Sequence, residues 1–205
     1  MKLLLTSTGL TNQKIKNKFL ELVNKTPSKI KIIFLPTASR SKEELKYVQA
    51  SKQELIDLGI PEQNIKTISL DKKLDEKIEY NEIMNFDVIY VCGGNTFYLL
   101  KKVRESGFDR IITKFIDSGK LYFGVSAGSI LVCPDIDIAT PFDENEFGIK
   151  DLTGLNLTDV IVTPHYCEKE KLIIDKFQKK TKTKVIRITD NQALMVIDEK
   201  KEIIE

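Results

Sequence analysis

Features that mark several specialised classes of protein are scarce in this chain. Its three cysteines, Cys92, Cys133 and Cys167, have no spacing typical of a metal site and cannot all pair with one another. This pattern favours a reduced, cytoplasmic setting. No apolar run approaches the length of a bilayer span. The N-terminal segment turns polar within a few residues, which predicts a first strand rather than a signal peptide.

An excess of charge of either sign is also missing. The chain has 32 basic and 30 acidic side chains, a formal net charge of +2. This balance gives no reason to expect nucleic acid or an anionic membrane as a partner. Neither of the glycine-rich phosphate-binding patterns G-x-G-x-x-G and G-x-x-x-x-G-K is found, which disfavours nucleotide binding. Internal repeats and low-complexity linkers are absent, so we predict one domain over residues 1–205.

Strand and helix patterns alternate along the sequence. Strands are predicted at 2–6, 31–35, 65–70, 87–91, 121–125, 136–140, 159–163, 184–188 and 193–198, the last pairing as a hairpin with 202–204. Helical patterns lie at 13–23, 42–58, 71–84 and 169–179, with two short helices between 96 and 120. Such alternation predicts an α/β fold, a three-layer sandwich with a mostly parallel, flavodoxin-like sheet.

A G-x-S-x-G sequence centred on Ser126 follows the predicted strand 121–125 and precedes a helix-like run. In that context the flanking glycines permit a tight turn that projects the serine hydroxyl from the end of a sheet. The N–H of Ala127 would then face a developing oxyanion at a helix N-terminus. The alternative is an ordinary strand–helix junction in which Ser126 only caps the helix.

The chain has a single histidine, His165, which follows a β-branched strand and Pro164. Serine is a weak nucleophile unless a base accepts its proton, and histidine is the usual base. Because His165 and Ser126 both follow predicted strands, we expect them at the same sheet edge, where α/β proteins bind ligands. A structural or surface role for a lone histidine is the alternative.

A second glycine-rich segment, Gly93-Gly94-Asn95-Thr96, ends the predicted strand 87–91. Paired glycines allow backbone N–H groups to approach a ligand closely. We therefore predict that the Gly94 N–H joins that of Ala127 in an oxyanion hole. The other interpretation, a helix start capped by Asn95, is compatible with the first.

A third group, an acid that orients His165, is expected in the loop between Ser126 and His165. The spacing does not distinguish among the acidic residues of this loop, which are Asp135, Asp137, Asp143, Glu144, Glu146 and Asp151.

Three segments together carry a resemblance to a known family: residues 91–100 (VCGGNTFYLL), 124–129 (GVSAGS) and 164–166 (PHY). They resemble, in the same order, those of the peptidase E family of α-aspartyl dipeptidases, to which cyanophycinase is more distantly related. The resemblance implies a fold similar to class I glutamine amidotransferases, with serine in place of their cysteine.

The resemblance also implies a cofactor-free serine peptidase that needs no metal and acts on small peptides. It assigns Ser126 as nucleophile and His165 as base. The sequence 138–143 (IATPFD) fits a family stretch that ends in the triad acid, so the resemblance implies that Asp143 is this acid, with Glu144 as the alternative. It further predicts substrate contacts at Gly93, Asn95, Thr96 and Tyr166, and a monomer or homodimer.

One departure from the family concerns specificity. The segment after His165 is short and lysine-rich, whereas aspartyl dipeptidases have a longer loop with an arginine for the substrate aspartate. Arg40, Lys169 and Lys171 could each meet an acidic substrate group. Two alternatives to a peptidase remain open. One is a serine esterase or other hydrolase, although the 39 positions between Ser126 and His165 are fewer than an α/β-hydrolase normally has between its serine and histidine. The other is a catalytically silent binding protein. A glutamine amidotransferase would need cysteine at position 126.

Overall fold

Buried strands alternate with amphipathic helices along the chain. The computed structural model describes residues 1–71 and 80–205. The strands are β1 (Lys2–Thr6), β2 (Ile32–Leu35), β3 (Ile65–Thr67), β4 (Val88–Val91), β5 (Leu121–Val125), β6 (Ile161–Thr163), β7 (Val185–Arg187), β8 (Ala193–Ile197) and β9 (Lys200–Ile204). The helices are α1 (Gln13–Val23), α2 (Lys42–Asp57), α3 (Tyr80–Ile83), α4 (Thr96–Ser106), α5 (Phe108–Asp117), α6 (Ala127–Leu131) and α7 (Lys171–Thr181).

Within the described residues, seven strands form one sheet in the order β3-β2-β4-β5-β1-β8-β9. The strands from β3 to β1 pair in parallel. An antiparallel hairpin of β8 and β9 extends the sheet beyond β1. Leu4 of β1 lies opposite Phe123 of β5 on one side and Met195 of β8 on the other. The predicted mostly parallel α/β sheet is therefore confirmed.

Both faces of the sheet are buried, since successive side chains of a strand point to opposite sides. In β1, Leu3 and Leu5 enter one core cluster while Leu4 enters the other. Helices α1 and α2 cover the Leu4 face, with Phe19 fully buried there. Helices α4, α5, α6 and α7 cover the opposite face, where Phe115 is fully buried. This gives the three layers that the sequence pattern predicts.

The carboxyl ends of β1, β4 and β5 meet at one edge of the sheet. Thr6 of β1 lies opposite Val125 of β5, and Val91 of β4 lies opposite Gly124. The loops that follow these three strands therefore converge. They contain the serine turn, the paired glycines and a Ser-Thr segment after β1.

The strand that precedes His165 lies outside the main sheet. Strand β6 pairs in parallel with β7, with Val162 opposite Ile186, and the two form a separate small sheet. Ile161 and Val162 are buried in the core cluster that includes α6. His165 therefore reaches the edge of the main sheet from a neighbouring layer rather than from one of its strands.

Two other predictions differ from the structure or extend past it. The strand predicted at 136–140 is wrong, because Asp137–Ala139 form a 3₁₀ turn. The Asp135 carboxylate accepts the Asp137 N–H at 2.7 Å, and the Thr140 hydroxyl donates to the Asp137 carboxylate at 2.7 Å. Such local bonds compete with strand pairing. Of the helix predicted at 71–84, residues 80–83 form α3, Asp71 and Met84 lie in turns, and residues 72–79 lie outside the described residues.

Candidate active site

Ser126 lies at a sharp turn between β5 and α6, in a backbone conformation that few non-glycine residues adopt (φ 48°, ψ −110°). The glycines two positions away are required by close approach. A Cβ on Gly124 would lie 2.6 Å from the carbonyl oxygen of Gly128, and one on Gly128 would lie 2.4 Å from that of Val91. The Ser126 N–H donates to the Thr6 carbonyl at 2.9 Å, which ties the turn to β1. The hydroxyl is thus held at the end of the sheet.

The backbone of His165 is fixed by a buried serine. His165 has a left-handed conformation (φ 57°), and its N–H donates to Ser7 Oγ at 3.0 Å. The Ser7 hydroxyl lies 3.2 Å from the Ile188 carbonyl oxygen and 3.0 Å from that of Thr189. Ser7 is 1% exposed. It therefore joins the end of β1 to the segments that follow β6 and β7.

Ser126, His165 and Asp190 form a hydrogen-bonded line. His165 Nε2 lies 2.9 Å from Ser126 Oγ, and Nδ1 lies 2.7 Å from Asp190 Oδ1. A carboxylate only accepts hydrogen bonds, so Nδ1 carries the ring proton and Nε2 presents its lone pair to the serine hydroxyl. This order of donors and acceptors allows the serine proton to pass to the imidazole.

The loop between β1 and α1 holds the turn that carries Asp190. The Thr8 hydroxyl donates to the Asp190 carbonyl at 2.6 Å, and the Thr11 hydroxyl lies 3.4 Å from the same oxygen. Asn12 donates from Nδ2 to the Asn191 carbonyl at 2.8 Å. The position of the Asp190 carboxylate is therefore set by side chains far away in the sequence.

The predicted contact between Asp143 and the imidazole is not formed. Both ring nitrogens of His165 have other partners, and the Asp143 carboxylate accepts the N–H of Thr96, the first residue of α4, at 2.8 Å. Burial raises the pKa of the Asp143 carboxyl. Glu144 does not take the place of Asp143 either, because the ring nitrogens of His165 bond Asp190 and Ser126. Asp190, which contacts Nδ1, lies outside the loop between Ser126 and His165 in which the acid was predicted.

A signal for Asp190 does exist in the sequence. It follows the predicted strand 184–188 directly, in the polar turn Thr189-Asp190-Asn191-Gln192. Ser126 and His165 also follow predicted strands. An acidic residue in the corresponding position after β7 was therefore a reasonable candidate.

The backbone N–H groups of Gly94 and Ala127, both near Ser126, make no hydrogen bond within the described residues. Ala127 is the first residue of α6, so its N–H has no partner inside the helix. Gly94 has φ +132°, and a Cβ there would lie 2.2 Å from the Ala38 carbonyl oxygen. Gly93 is adjacent, since its added Cβ would lie 3.0 Å from Ser126 Cβ. Both glycines permit close packing around the serine.

A cavity of about 540 Å³ opens beside Ser126 and His165. Its walls come from the loops after β1, β2 and β4, from α2 and from the Asp190 turn. It is lined by Ser7, Thr8, Ser39, Glu44, Tyr47, Val48, Ala50, Ser51, Glu54, Cys92, Gly93, Gly94, Val125, Ser126, His165 and Asp190. The volume suits a small ligand.

A smaller pocket of about 120 Å³ lies on another side of Ser126 and His165. Thr96 and Asp143 line it together with apolar side chains, among them Ile130 and Phe142. Thr96 is buried. Ser126 and His165 line both pockets, so a ligand held at Ser126 has access to both.

The remaining predicted contact residues lie outside both pockets. Asn95 caps α4, because its side chain accepts the Tyr98 N–H at 2.8 Å. Tyr166 donates its hydroxyl to Glu168 at 3.1 Å. Of the four predicted contact residues, Gly93 and Thr96 therefore line the site, whereas Asn95 and Tyr166 do not.

Cys92 is not an alternative nucleophile to Ser126, and the cations considered as partners of an acidic substrate group do not line the pockets at Ser126. Cys92 lines the larger cavity, but burial raises the pKa of its thiol well above the ordinary value. Arg40 pairs with Glu146 at 3.0 Å, and Lys171 pairs with Glu168 at 3.2 Å. Neither these cations nor Lys169 line a pocket at Ser126.

Within residues 1–71 and 80–205, helices long and apolar enough to cross a membrane are not found.

Comparison with known proteins gives a consistent result. The model of Peptidase family S51 matches residues 3–204. An uncharacterized peptidase of Pasteurella multocida (strain Pm70) is 35% identical over 179 residues, which cover 83% of this chain and 83% of that protein. Peptidase E of Shigella flexneri is 33% identical over 137 residues, or 65% of this chain and 54% of that protein.

Solved structures share the fold. A 1.5 Å crystal structure from Listeria monocytogenes EGD-e, for which peptidase E is the proposed identity, superposes with a TM-score of 0.81 and 28% identity, covering 98% of this chain and 96% of that one. A peptidase from an acI-B1 actinobacterium superposes with a TM-score of 0.71 at 21% identity, covering 99% and 86%. The second likeness concerns the fold alone.

Proposed function

The chain belongs to peptidase family S51 and is a serine peptidase, and we propose that it hydrolyses short peptides by acyl transfer through Ser126, His165 and Asp190. The observation that carries this proposal is the hydrogen-bonded line from Ser126 Oγ through both imidazole nitrogens to the Asp190 carboxylate. That order of groups is the one that activates a serine hydroxyl as a nucleophile.

The first half of the reaction forms an acyl-enzyme. Ser126 Oγ attacks the peptide carbonyl carbon while His165 Nε2 takes the hydroxyl proton. Asp190 stabilises the resulting imidazolium through Nδ1–H. The tetrahedral intermediate collapses as Nε2 protonates the leaving amine, which breaks the C–N bond and leaves an ester at Ser126.

The second half releases the acid. Water takes the place of the amine, His165 Nε2 accepts its proton, and the hydroxide adds to the ester carbonyl. The proton then returns to Ser126 Oγ as the C–O bond breaks. In both halves we assign the N–H groups of Ala127 and Gly94 to the oxyanion, since both are free of other protein partners within the described residues.

The dimensions of the cavity favour short substrates. About 540 Å³ beside the nucleophile holds one or two residues, and the smaller pocket holds a side chain at most. We therefore propose dipeptides or similar short peptides as the substrate class. An N-terminal aspartate, which the family resemblance suggests, is one member of that class to be tested, since the cations considered for it lie outside the cavity.

The test is hydrolysis of a panel of Asp-X, Glu-X, Ala-X, Leu-X, Lys-X and isoaspartyl dipeptides, beside a short-chain nitrophenyl ester. We expect dipeptide turnover that Ser126→Ala lowers by several powers of ten. Ser118→Ala is the matched control, because that hydroxyl bonds the Phe115 carbonyl at the end of α5. Ester turnover with no peptide cleavage would replace the peptidase by an esterase, and no fluorophosphonate labelling of Ser126 would overturn the mechanism.

A further inference from the structure

Ser129 has a hydroxyl that the proposed reaction does not use. The side chain is fully buried and belongs to the third residue of α6, three positions after the nucleophile. Its Oγ lies 2.8 Å from the Thr6 carbonyl oxygen at the end of β1 and 2.9 Å from the Gly124 carbonyl oxygen in β5. This hydroxyl therefore connects the helix that follows the nucleophile to two neighbouring strands of the main sheet.

The same two carbonyl groups have a second donor each. The Thr6 carbonyl accepts the Ser126 N–H at 2.9 Å, and the Gly124 carbonyl accepts the Thr6 hydroxyl at 3.1 Å. Removal of the Ser129 hydroxyl would leave both carbonyls with that other donor, so neither would lose its last hydrogen bond. Ser129→Ala is therefore expected to fold, and its effect on the turn at Ser126 can be measured.

Tyr122 adds a second buried hydroxyl at the same turn of α6. It lies in β5, is fully buried and donates to the Gly128 carbonyl at 2.6 Å. Burial raises the pKa of the Tyr122 phenol well above its ordinary value, so the group keeps its proton and remains a donor. Gly128 and Ser129 are consecutive, so the two hydroxyls hold adjacent residues of α6 to the sheet.

The conformation of Ser126 shows why such contacts are needed. Its backbone angles (φ 48°, ψ −110°) are rarely adopted by a residue with a side chain. A conformation of this kind persists where the surrounding structure over-determines it. Helix α6 has five residues, too few for its own hydrogen bonds to do so. The contacts between α6 and the sheet must therefore hold the turn.

We propose that Ser129 and Tyr122 are positioning residues for the nucleophile. Their hydroxyls hold the first turn of α6 against the sheet, which keeps Ser126 Oγ at 2.9 Å from His165 Nε2. The same contacts fix the direction of the Ala127 N–H that we assign to the oxyanion. The proposal rests on the nucleophilic role of Ser126, and neither positioning residue lines a pocket at that serine.

Ser129→Ala should lower kcat for a cleaved dipeptide by roughly ten- to a hundredfold, because a small displacement of the nucleophile is enough to slow its attack. KM should stay within about twofold of wild type, since the hydroxyl acts on the reacting group rather than on substrate binding. The rate of Ser126 labelling by a fluorophosphonate should fall by the same factor as kcat. Tyr122→Phe should lower kcat and the labelling rate in the same way.

Ser106→Ala is the matched control for loss of a serine hydroxyl from a helix. The Ser106 hydroxyl also lies near two carbonyl oxygens, 2.7 Å from that of Lys102 and 3.2 Å from that of Val103, at the end of α4. This variant should keep the wild-type kcat and labelling rate. All variants are measured well below their own Tm, so that a smaller folded fraction does not contribute to the loss.

Nuclear magnetic resonance of the ¹⁵N-labelled imidazole measures the same geometry without turnover. The chain has one histidine, so the Nε2 resonance belongs to His165. Ser126→Ala removes the hydrogen bond at Nε2 and gives the reference position of this resonance. Ser129→Ala and Tyr122→Phe should move the resonance towards that reference, whereas Ser106→Ala should leave it at the wild-type position.

The role of each positioning residue is overturned by wild-type kcat, labelling rate and Nε2 resonance in its own variant, even if Tm falls. Ser129→Cys, which keeps a weaker donor at the same place, takes the place of Ser129→Ala if the latter does not fold. Failure of the peptidase mechanism gives a different result, namely no Ser126-dependent turnover or labelling in the wild-type protein. The Nε2 resonance then decides alone whether the two hydroxyls position Ser126.

Discussion

Asp190 Oδ1 lies 2.7 Å from Nδ1 of His165, on the side of the ring away from Ser126. The two residues follow β6 and β7, strands that pair only 3 residues each. Ser126, which His165 faces, follows β5 of the seven-stranded sheet. The geometry at Ser126 therefore depends on how the short sheet is held against the long one.

Asp190→Asn should lower kcat by about four powers of ten, because an amide favours the wrong imidazole tautomer and does not stabilise the imidazolium. Asp143→Asn should lower it by less than tenfold, since its carboxylate bonds the N–H of Thr96. The measurement is the rate of Ser126 labelling by a fluorophosphonate, together with dipeptide turnover. A larger loss in Asp143→Asn would restore Asp143 as the orienting acid.

Ser7→Ala should reduce kcat by about ten- to a hundredfold with little change in KM, because the His165 N–H loses its acceptor and the imidazole moves from its position. Stability should also fall, by about 1–3 kcal/mol, since that N–H is left unpaired. Kinetics and denaturant unfolding of the same variant measure both effects. Thr113→Ala, which removes a helix hydroxyl bonded to the Asp109 carbonyl, is the control. Unchanged kcat in Ser7→Ala would show that the serine does not position the histidine.

Gly94→Ala should destabilise the protein by about 3 kcal/mol or more, because the new Cβ would meet the Ala38 carbonyl in a positive-φ conformation. Gly107→Ala is the matched control. Gly107 also has positive φ (+71°), but a Cβ there meets no atom within 4 Å of the described residues, and its cost should be about 1 kcal/mol. Urea unfolding of both variants gives the difference. Equal destabilisation would show that the loop can move away from Ala38 at no cost.

The ionisation of Asp143 should make stability depend on pH. Burial raises the pKa of this carboxyl in the folded protein, so its charged form is disfavoured on folding. The contribution of the Asp143 carboxyl to the free energy of unfolding is complete below the ordinary aspartate pKa of about 4. It is lost as pH rises through the higher pKa that this carboxyl has in the folded protein. The free energy of unfolding of wild type minus that of Asp143→Asn should therefore decrease across this range. A difference that increases with pH would contradict the direction of the shift.

Much of the fold follows from the sequence pattern. Buried runs such as those of β1, β4 and β5 are short, mostly apolar and separated by amphipathic helices, which favours a parallel sheet covered on both faces. The apolar alternation of 136–140 predicts a strand, but side-chain hydrogen bonds of Asp135 and Asp137, which the alternation does not reveal, stabilise a 3₁₀ turn there.

The candidate site was predictable in part. The positions of Ser126 and His165 at strand ends indicated their proximity, although His165 follows β6 of the small sheet rather than a strand of the main sheet. Asp190 was not chosen, because which acid reaches the imidazole depends on the docking of β6 and β7. The position of Glu44 and Glu54 in the cavity lining was not predictable from the sequence either, because they resemble ordinary surface positions on an amphipathic helix.

Ser126 follows a strand of the large sheet, whereas His165 and Asp190 follow the two strands of the small sheet. The reactivity of Ser126 therefore depends on contact between the two sheets. If the small sheet separates while the large one stays folded, the serine loses its base without any change in its own turn. Reactivity toward a fluorophosphonate should then disappear at a lower urea concentration than the far-ultraviolet circular dichroism signal. Loss of Ser126 reactivity would then precede the loss of secondary structure as the urea concentration rises.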